Sequence, residues 1–281
     1  MIAEKHKRQK EVTKEQLIGQ LGDMGIKHGD GVFIHSSFSA IGNVIGGPDA
    51  VIDAFLEAVG PKGHIMFPTF QYHIDFGPFD PNTTLTTMGI IPETAMKRKE
   101  FKRSNIPYNS VAVAGPLTEL IIRDHASRGH CRPGDPFDMF AIMGGYIMLL
   151  GVTFRSNTTI HIGECYGDQP NRRRSFEGPF NEYVFADGSK VTFASGGPTC
   201  SEGFHAVEGI MRERNHIIDG FMGAAPTKLM KGKDVIYDTV DLIRRAPWSL
   251  YCNNPKCEAC TKYRSIVIEE YNKRISSCKQ E

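Results

Sequence analysis

Apolar and polar positions along the chain follow two regular patterns, and together they predict an α/β protein. Residues 32–35 and 65–67 are short apolar runs between turn residues, which favours buried strands. A helix beginning near Pro48 is predicted between them. The order strand, helix, strand indicates a βαβ-like unit over residues 31–70.

The same patterns predict further elements on both sides of this unit. Apolar residues at helical spacing predict a helix within residues 11–25, with Thr13 and Gln16 in the positions of a capping box. The continuous apolar run at 146–152 is typical of a strand covered on both faces. We therefore predict a layered α/β/α domain with a central, mostly parallel or mixed sheet. The other predicted elements are helices at 88–101, 117–126, 203–212, 234–244 and 265–275, and a strand at 110–114.

Two segments depart from this alternation. Residues 71–87 are rich in Pro, Asn, Gly and Thr, which predicts a long loop. Within residues 165–200, two alternating stretches at 183–185 and 190–193 are joined by Asp187-Gly188, which indicates a β-hairpin insertion. We assign residues 1–250 to one domain and residues 251–281 to a cysteine-containing tail packed on it.

The composition indicates a soluble globular protein with a substantial core. The chain has 281 residues, of which 40% are hydrophobic and 23% charged. A formal net charge of +1 gives no global electrostatic reason to expect nucleic acid or a membrane surface as a partner. Because the sequence has no long apolar run and its first residues lack the apolar core of a signal peptide, we expect a cytoplasmic protein.

Seven cysteines are present, an odd number that argues against a secreted disulfide framework and favours reduced thiols. Cys252, Cys257 and Cys260 have C-x4-C-x2-C spacing, which could supply three thiolates to zinc. Cys278 or a histidine would then be the fourth ligand. Free thiols in a surface turn are the favoured interpretation, and no metal ligand is assigned.

Two groups of residues could carry chemistry. Ser36, Ser37 and Ser39 follow the first strand, where hydroxyls, backbone N–H groups and the positive end of the next helix suit an anion. Ordinary turn and capping chemistry is the alternative. His161 lies a few residues past the strand at 146–152, with Glu164 on the same helical face, which suits a general base and its orienting carboxylate. A histidine satisfied at a helix start is the alternative.

Several blocks resemble one known family. The segment from His35 to Phe70 is similar to the signature segment of the aminoglycoside 3-N-acetyltransferase family. The block from Leu149 to Glu164 resembles the family's LLLGV…NTSLHLAE motif, and residues 110–116 and 134–138 resemble its SVAAxGP and GSPFD segments. The resemblance extends from about residue 15 to about residue 245.

This resemblance implies the reaction and the roles of several residues. It implies acetyl-coenzyme A (acetyl-CoA) as co-substrate, a small-molecule amine as acceptor and no metal in catalysis. The implied mechanism is direct transfer, with His161 as base and either Glu164 or Asp80 as its carboxylate. Membrane and nucleic-acid partners are not expected, and a homodimer stays open. The candidate acetyl-CoA-binding residues are His35, Ser36, Ser37, Ser39, Thr69, Ser110 and Thr158, of which His35 is first of all a structural candidate.

Three positions depart from the family pattern. Ile106 replaces a histidine, Asp135 replaces a serine, and Thr153-Phe154 replaces Gly-His. These departures point to an altered acceptor side, so a polysaccharide or secondary-metabolite amino sugar, or a CoA-binding protein without catalysis, stays an alternative. Acidic candidates for acceptor binding are Asp75, Asp80, Asp168, Glu177 and Glu202, whereas Arg172, Arg173 and Arg174 could face CoA phosphates or an anionic acceptor.

Overall fold

A seven-stranded mixed sheet with helices on both faces confirms the predicted α/β/α fold. The computed structural model describes residues 11–71, 78–129, 131–177, 180–194 and 200–278. The strands of the large sheet are β2 (Gly31–Ser36), β4 (His64–Pro68), β5 (Lys102–Arg103), β6 (Val111–Ala114), β7 (Tyr146–Leu150), β10 (Ile218–Met222) and β11 (Ala225–Lys231). Two small sheets are formed by β1 (Glu11–Val12) with β3 (Asn43–Val44) and by β8 (Phe180–Val184) with β9 (Lys190–Ala194).

Twelve helices are present in the described ranges. They are α1 (Lys14–Asp23), α2 (Phe38–Ile41), α3 (Gly47–Val59), α4 (Ile90–Met96), α5 (Thr118–Ile122), α6 (His125–Arg128), α7 (Pro136–Ile142), α8 (Ile160–Tyr166), α9 (Pro170–Glu177), α10 (His205–Glu213), α11 (Gly232–Arg245) and α12 (Glu258–Cys278). Among these helices, none combines the length and the apolar character needed to cross a bilayer.

The strand order of the large sheet is β10–β11–β7–β2–β4–β6–β5. The three central strands β7, β2 and β4 are parallel, and the outer strands are antiparallel to their neighbours. The predicted βαβ unit is therefore confirmed, since α3 connects the parallel neighbours β2 and β4. The carboxyl ends of the three parallel strands meet at one edge, where open α/β sheets place their ligands.

Alternate residues of the strands pack into two separate cores. On β2, Val32 and Ile34 belong to the core beneath α1 and α3, whereas Phe33 belongs to the core beneath α7, α8, α10 and α11. This period of two explains why the central strands are apolar along their whole length, because both faces are covered by helices.

The structure corrects several element boundaries. The predicted helix at 117–126 is two short helices, α5 and α6, because Asp124 has φ −103° and ψ 10° and interrupts the helical backbone. Residues 170–177 form the helix α9, before the predicted hairpin of β8 and β9. The last helix begins at Glu258 rather than at residue 265. The division into residues 1–250 and 251–281 stays a prediction.

Candidate active site

Polar residues gather at the carboxyl edge of β2, β4 and β7. Thr69 follows β4, and Ser110 precedes the antiparallel neighbour β6, so the two residues meet there. The Thr69 hydroxyl donates to the Ser110 hydroxyl at 3.1 Å, which in turn donates to the Thr69 carbonyl oxygen at 2.8 Å. Both side chains are fully buried. Both hydroxyls are engaged within the protein, and the cofactor contact of Thr69 and Ser110 stays a prediction.

Arg103 explains why these two residues are held so firmly. Its Nε donates to the Ser110 hydroxyl at 3.1 Å and its Nη2 to the Thr69 carbonyl at 2.5 Å, while its guanidinium lies 4.9 Å from the centre of the Phe79 ring. Burial lowers the pKa of Arg103 to about 10, so the side chain stays charged at neutral pH. Arg103 thus fastens the loop at Phe79 to the sheet edge, a role that the sequence did not indicate.

The serine turn keeps its hydroxyls available for a ligand. Ser37 lies at the N-cap position of α2, yet its side chain makes no capping hydrogen bond. Its oxygen lies 3.3 Å from that of Ser39, while its backbone N–H donates to the Leu150 carbonyl at 2.9 Å. Ser36 and Ser37 are half-buried and Ser39 is exposed. The capping alternative is therefore not observed for Ser37.

His35 does not reach the open side of this turn. It is only 4% exposed, and its ring lies 4.3 Å from that of Phe33. Burial lowers its pKa to about 3, so the imidazole is neutral at neutral pH. This burial agrees with the structural role that the sequence favours for His35, and a direct ligand role stays a prediction.

His161 and Glu164 form a close pair on α8. This helix follows β7 after Gly151, a 3₁₀ turn at Phe154–Ser156 and the buried residues 157–159. Because side chains three residues apart share a helical face, His161 Nδ1 lies 2.7 Å from Glu164 Oε2. Thr158, which precedes the helix, is only 7% exposed and lies next to this pair in the chain.

Arg172 completes this pair from α9. Its Nε and Nη2 donate to Glu164 Oε2 at 2.8 and 2.7 Å. Its side chain is only 4% exposed and pairs with Glu164, whereas the sequence suggested CoA phosphates or an anionic acceptor as its partner. One general rule could have indicated this contact: a carboxylate that is buried, as Glu164 is, needs a cation nearby.

Electrostatics set the protonation state of this trio. Burial opposes the charge on Glu164, but Arg172 and His161 outweigh burial and lower its pKa to about 2. For His161, burial and the Arg172 charge lower the pKa, while Glu164 acts in the opposite direction. His161 is therefore neutral at neutral pH.

The tautomer of His161 follows from its neighbours. The Nη2 of Arg172 also approaches His161 Nδ1 closely, but a guanidinium has no acceptor and directs its protons to Glu164. We therefore assign the single imidazole proton to Nδ1, which donates to Glu164. The Nε2 atom then carries the free lone pair, as a general base requires.

Asn171 of α9 and two residues from outside α8 and α9, Tyr251 and Phe204, hold the trio in place. The Asn171 amide donates to Glu164 Oε1 at 3.2 Å. The Tyr251 hydroxyl bonds to Asn171 Oδ1 at 3.0 Å and to Gln169 Oε1 at 2.6 Å. The Phe204 ring packs edge-on against His161, with ring centres 4.9 Å apart. Tyr251 was not indicated by the sequence patterns.

The Asp80 carboxylate is engaged within its own turn. Its carboxylate accepts from the Asn82 N–H at 2.8 Å and from the Thr83 hydroxyl at 2.9 Å, which lowers its pKa. These bonds are typical of a local turn. Of the two predicted carboxylates, the one that contacts His161 is Glu164.

The acidic and basic acceptor candidates are mostly engaged elsewhere. Asp168 pairs with Arg173 at 3.3 Å, and Glu202 pairs with Arg155 at 2.8 Å. Arg173 also pairs with Glu270 at 2.6 Å. Asp75 and the side chains of Arg174 and Glu177 lie outside the described part of the chain.

The three departures from the family pattern have structural explanations. Ile106 is buried beside Tyr183 of β8, and Phe154 is buried in the core beneath α8. Asp135 caps α7 and accepts from the N–H groups of Phe137 and Asp138. Asp135 therefore performs the capping task that suits a serine equally well.

The match to a protein family agrees with this geometry. Residues 33–244 match the model of the aminoglycoside 3-N-acetyltransferase family. The chain belongs to this family. It is accordingly an N-acetyltransferase, as its sequence predicts. The aminoglycoside N(3)-acetyltransferase IV of Salmonella sp is 30% identical over 243 residues, which cover 85% of this chain and 90% of that protein.

Solved structures of the family show the same fold. The apoenzyme of the aminoglycoside acetyltransferase AAC(3)-IVa is 29% identical, with a TM-score of 0.81, and the match covers 92% of this chain and 99% of that one. A histidine-to-alanine mutant of AAC(3)-IVa in complex with a gentamicin is 28% identical, with the same TM-score and the same coverage.

Proposed function

We propose that the chain transfers an acetyl group from acetyl-CoA to an amino group of an aminoglycoside or a related amino sugar. The observation that carries this proposal is the buried trio of His161, Glu164 and Arg172 at the carboxyl edge of the sheet. The chain's membership of the family and the names of the chain's relatives support the same reaction.

In the proposed mechanism, His161 is the general base. Its Nε2 removes a proton from the amine as the nitrogen attacks the thioester carbonyl carbon. The new N–C bond forms, the C–S bond breaks, and the leaving thiolate takes the proton from the imidazolium. Glu164 stabilises that imidazolium through Nδ1, and such a base contributes about 10²- to 10⁴-fold in rate.

The serine turn is the proposed site for acetyl-CoA. The hydroxyls of Ser36, Ser37 and Ser39 are accessible at the edge where β2 ends. Because α3 returns antiparallel to β2, its N-terminus faces this edge and favours negative charge. Backbone N–H groups of this turn or near Thr158 would polarise the thioester carbonyl.

The experiment is to measure release of free CoA thiol from acetyl-CoA with a panel of aminoglycosides and simpler amino sugars. We expect turnover with some of these amines and a loss of about 10²-fold or more in His161→Ala. His28→Ala is the matched control, because His28 is exposed and precedes β2 at the opposite edge of the sheet. That control should retain native turnover.

Two results would count against this proposal. A loss of only a few-fold in His161→Ala would remove the histidine from the role of base. Binding of acetyl-CoA without turnover of any amine on the panel would favour a CoA-binding protein without catalysis.

A further inference from the structure

Four cysteines from distant parts of the chain meet outside the proposed active site. The Sγ atoms of Cys200, Cys252, Cys257 and Cys260 all lie within 4.8 Å of one another. A zinc ion with four thiolates at about 2.3 Å sets neighbouring sulfurs about 3.8 Å apart, so small side-chain rotations suffice to form the site. We propose that these four cysteines bind a structural zinc ion.

Backbone hydrogen bonds already hold Cys252, Cys257 and Cys260 close together, in the segment that leads into the first turn of α12. The Cys257 N–H donates to the Asn254 carbonyl at 3.0 Å, and the Thr261 N–H donates to the Cys257 carbonyl at 2.9 Å, so α12 starts directly at this turn. Arg264 donates to the Tyr251 carbonyl and, at 2.6 Å, to the Cys252 carbonyl. The spacing of the three ligands is thus fixed without the metal.

Gly203 shows how closely the fourth ligand is tied to this turn. A Cβ atom at Gly203 would lie 2.1 Å from the carbonyl oxygen of Leu250, which no side chain can tolerate. The backbone that follows Cys200 therefore touches the backbone that precedes Cys252. This contact brings the fourth thiol to the other three.

Helix geometry excludes Cys278 as the fourth ligand. Cys278 ends α12, 18 residues after Cys260, and a helix of that length separates them by about 27 Å. The expected partner from the sequence, Cys278 or a histidine, is therefore replaced by Cys200. The sequence did not indicate Cys200 as a ligand, because it lies far from the other three cysteines in the chain.

Four thiolates describe a closed site that stabilises the fold rather than a catalytic site with an open position. The cluster lies close in the chain to Tyr251 and Phe204, the two residues from outside α8 and α9 that support the pair of His161 and Glu164. Tyr251, which bonds to Asn171, is adjacent to Cys252, and Phe204, which packs on His161, follows Cys200 by one short turn. Zinc would therefore fix both supports at once.

The experiment measures bound zinc by mass spectrometry of the full chain, purified without a metal-binding tag. We expect about one zinc ion per native chain. Cys200→Ser should retain less than about a tenth of that zinc, because a structural site needs all four ligands. Cys278→Ser, the matched control, should retain about one ion.

Replacement of the metal by cobalt gives a second measurement that does not depend on any variant. The cobalt-loaded native chain should show the visible absorption of tetrahedral cobalt bound to thiolates. This readout still decides if Cys200→Ser fails to fold.

Three outcomes would overturn the zinc site. The first is a native chain that contains no zinc and whose four cysteines are paired in disulfides. The second is a native chain that contains iron in place of zinc. The third is zinc that is retained in Cys200→Ser but lost in Cys278→Ser. Because none of these measurements uses acetyl transfer, failure of the zinc site is distinguishable from failure of the proposed function.

Discussion

At the scale of single residues, one carboxylate serves two partners. Glu164 accepts from Arg172 and from His161, and the three side chains are almost wholly buried. Glu164 stabilises the protonated histidine, whereas Arg172 disfavours it. The balance of these two effects, together with burial, sets the pKa of His161, the proposed base.

Arg172→Gln should shift the acid limb of the pH profile of kcat/KM to higher pH. The pKa of His161 is lowered below its ordinary value of 6.5, so activity rises with pH through that lowered pKa. Removing the Arg172 charge raises the pKa, and the variant should then reach its plateau at higher pH than the native chain. Acetyl transfer measured from pH 4.5 to 8 checks this shift.

Arg173→Gln is the control for this profile. Arg173 lies next to Arg172 on α9 but pairs with Asp168 and Glu270 near the surface. Its removal should leave the acid limb in place. An Arg172→Gln variant that loses activity with an unmoved acid limb would mean that Arg172 only supports the fold.

The sequence predicted part of this arrangement. The spacing of His161 and Glu164 was sufficient, because a helix alone brings the two side chains together. Arg172 was not predicted, because its contact depends on the turn between α8 and α9. Thr69 and Ser110 were assigned to the cofactor since their polarity was visible, whereas their burial depends on Arg103 and the pairing of β4 with β6.

At the scale of elements, helix caps and tertiary contacts decide where helices begin and end. Asp135 caps α7 with Oδ1, and its Oδ2 accepts from the Arg132 N–H at 3.0 Å. The sequence predicted helices from periodicity, but it did not predict the break at Asp124 or the helix α9. Periodicity is weak over such short segments, so tertiary contacts decide.

Asp135→Ala should lower the free energy of unfolding by about 1–3 kcal/mol. The substitution leaves buried N–H groups at the start of α7 without an acceptor. Asp135→Ser should lose less, because its hydroxyl still caps the helix. Urea unfolding of both variants at neutral pH checks the difference.

Acetyl transfer per folded molecule should stay near the native value in both variants of Asp135. If Asp135→Ser is as unstable as Asp135→Ala, the carboxylate charge or the Arg132 bond is the stabilising feature instead of the helix cap.

At the scale of the whole molecule, the C-terminal helix is joined to the rest by several kinds of contact. Tyr251, Cys260, Tyr263 and Val267 form a small separate core. Trp248 stacks edge-on against Tyr271 of α12, with ring centres 5.2 Å apart. Trp248 is the single tryptophan of the chain, so its fluorescence reports directly on whether α12 is docked.

Thermal unfolding followed by Trp248 fluorescence should coincide with unfolding followed by far-ultraviolet circular dichroism. The contacts around Tyr251 link α12 to the site that α8 and α9 form, so the tail and the domain should unfold as one unit. A fluorescence transition at lower temperature than the dichroism transition would instead identify residues 251–281 as an independent unit.

The residues that handle the proton in the proposed mechanism come from one continuous piece of chain. His161 and Glu164 belong to α8, and Arg172 belongs to α9. The segment from α8 to α9 therefore contains all three of these residues. Ile106 and Phe154 lie outside this piece and are buried in other parts of the structure, so a substitution at either position leaves the sequence of the proton-handling piece intact.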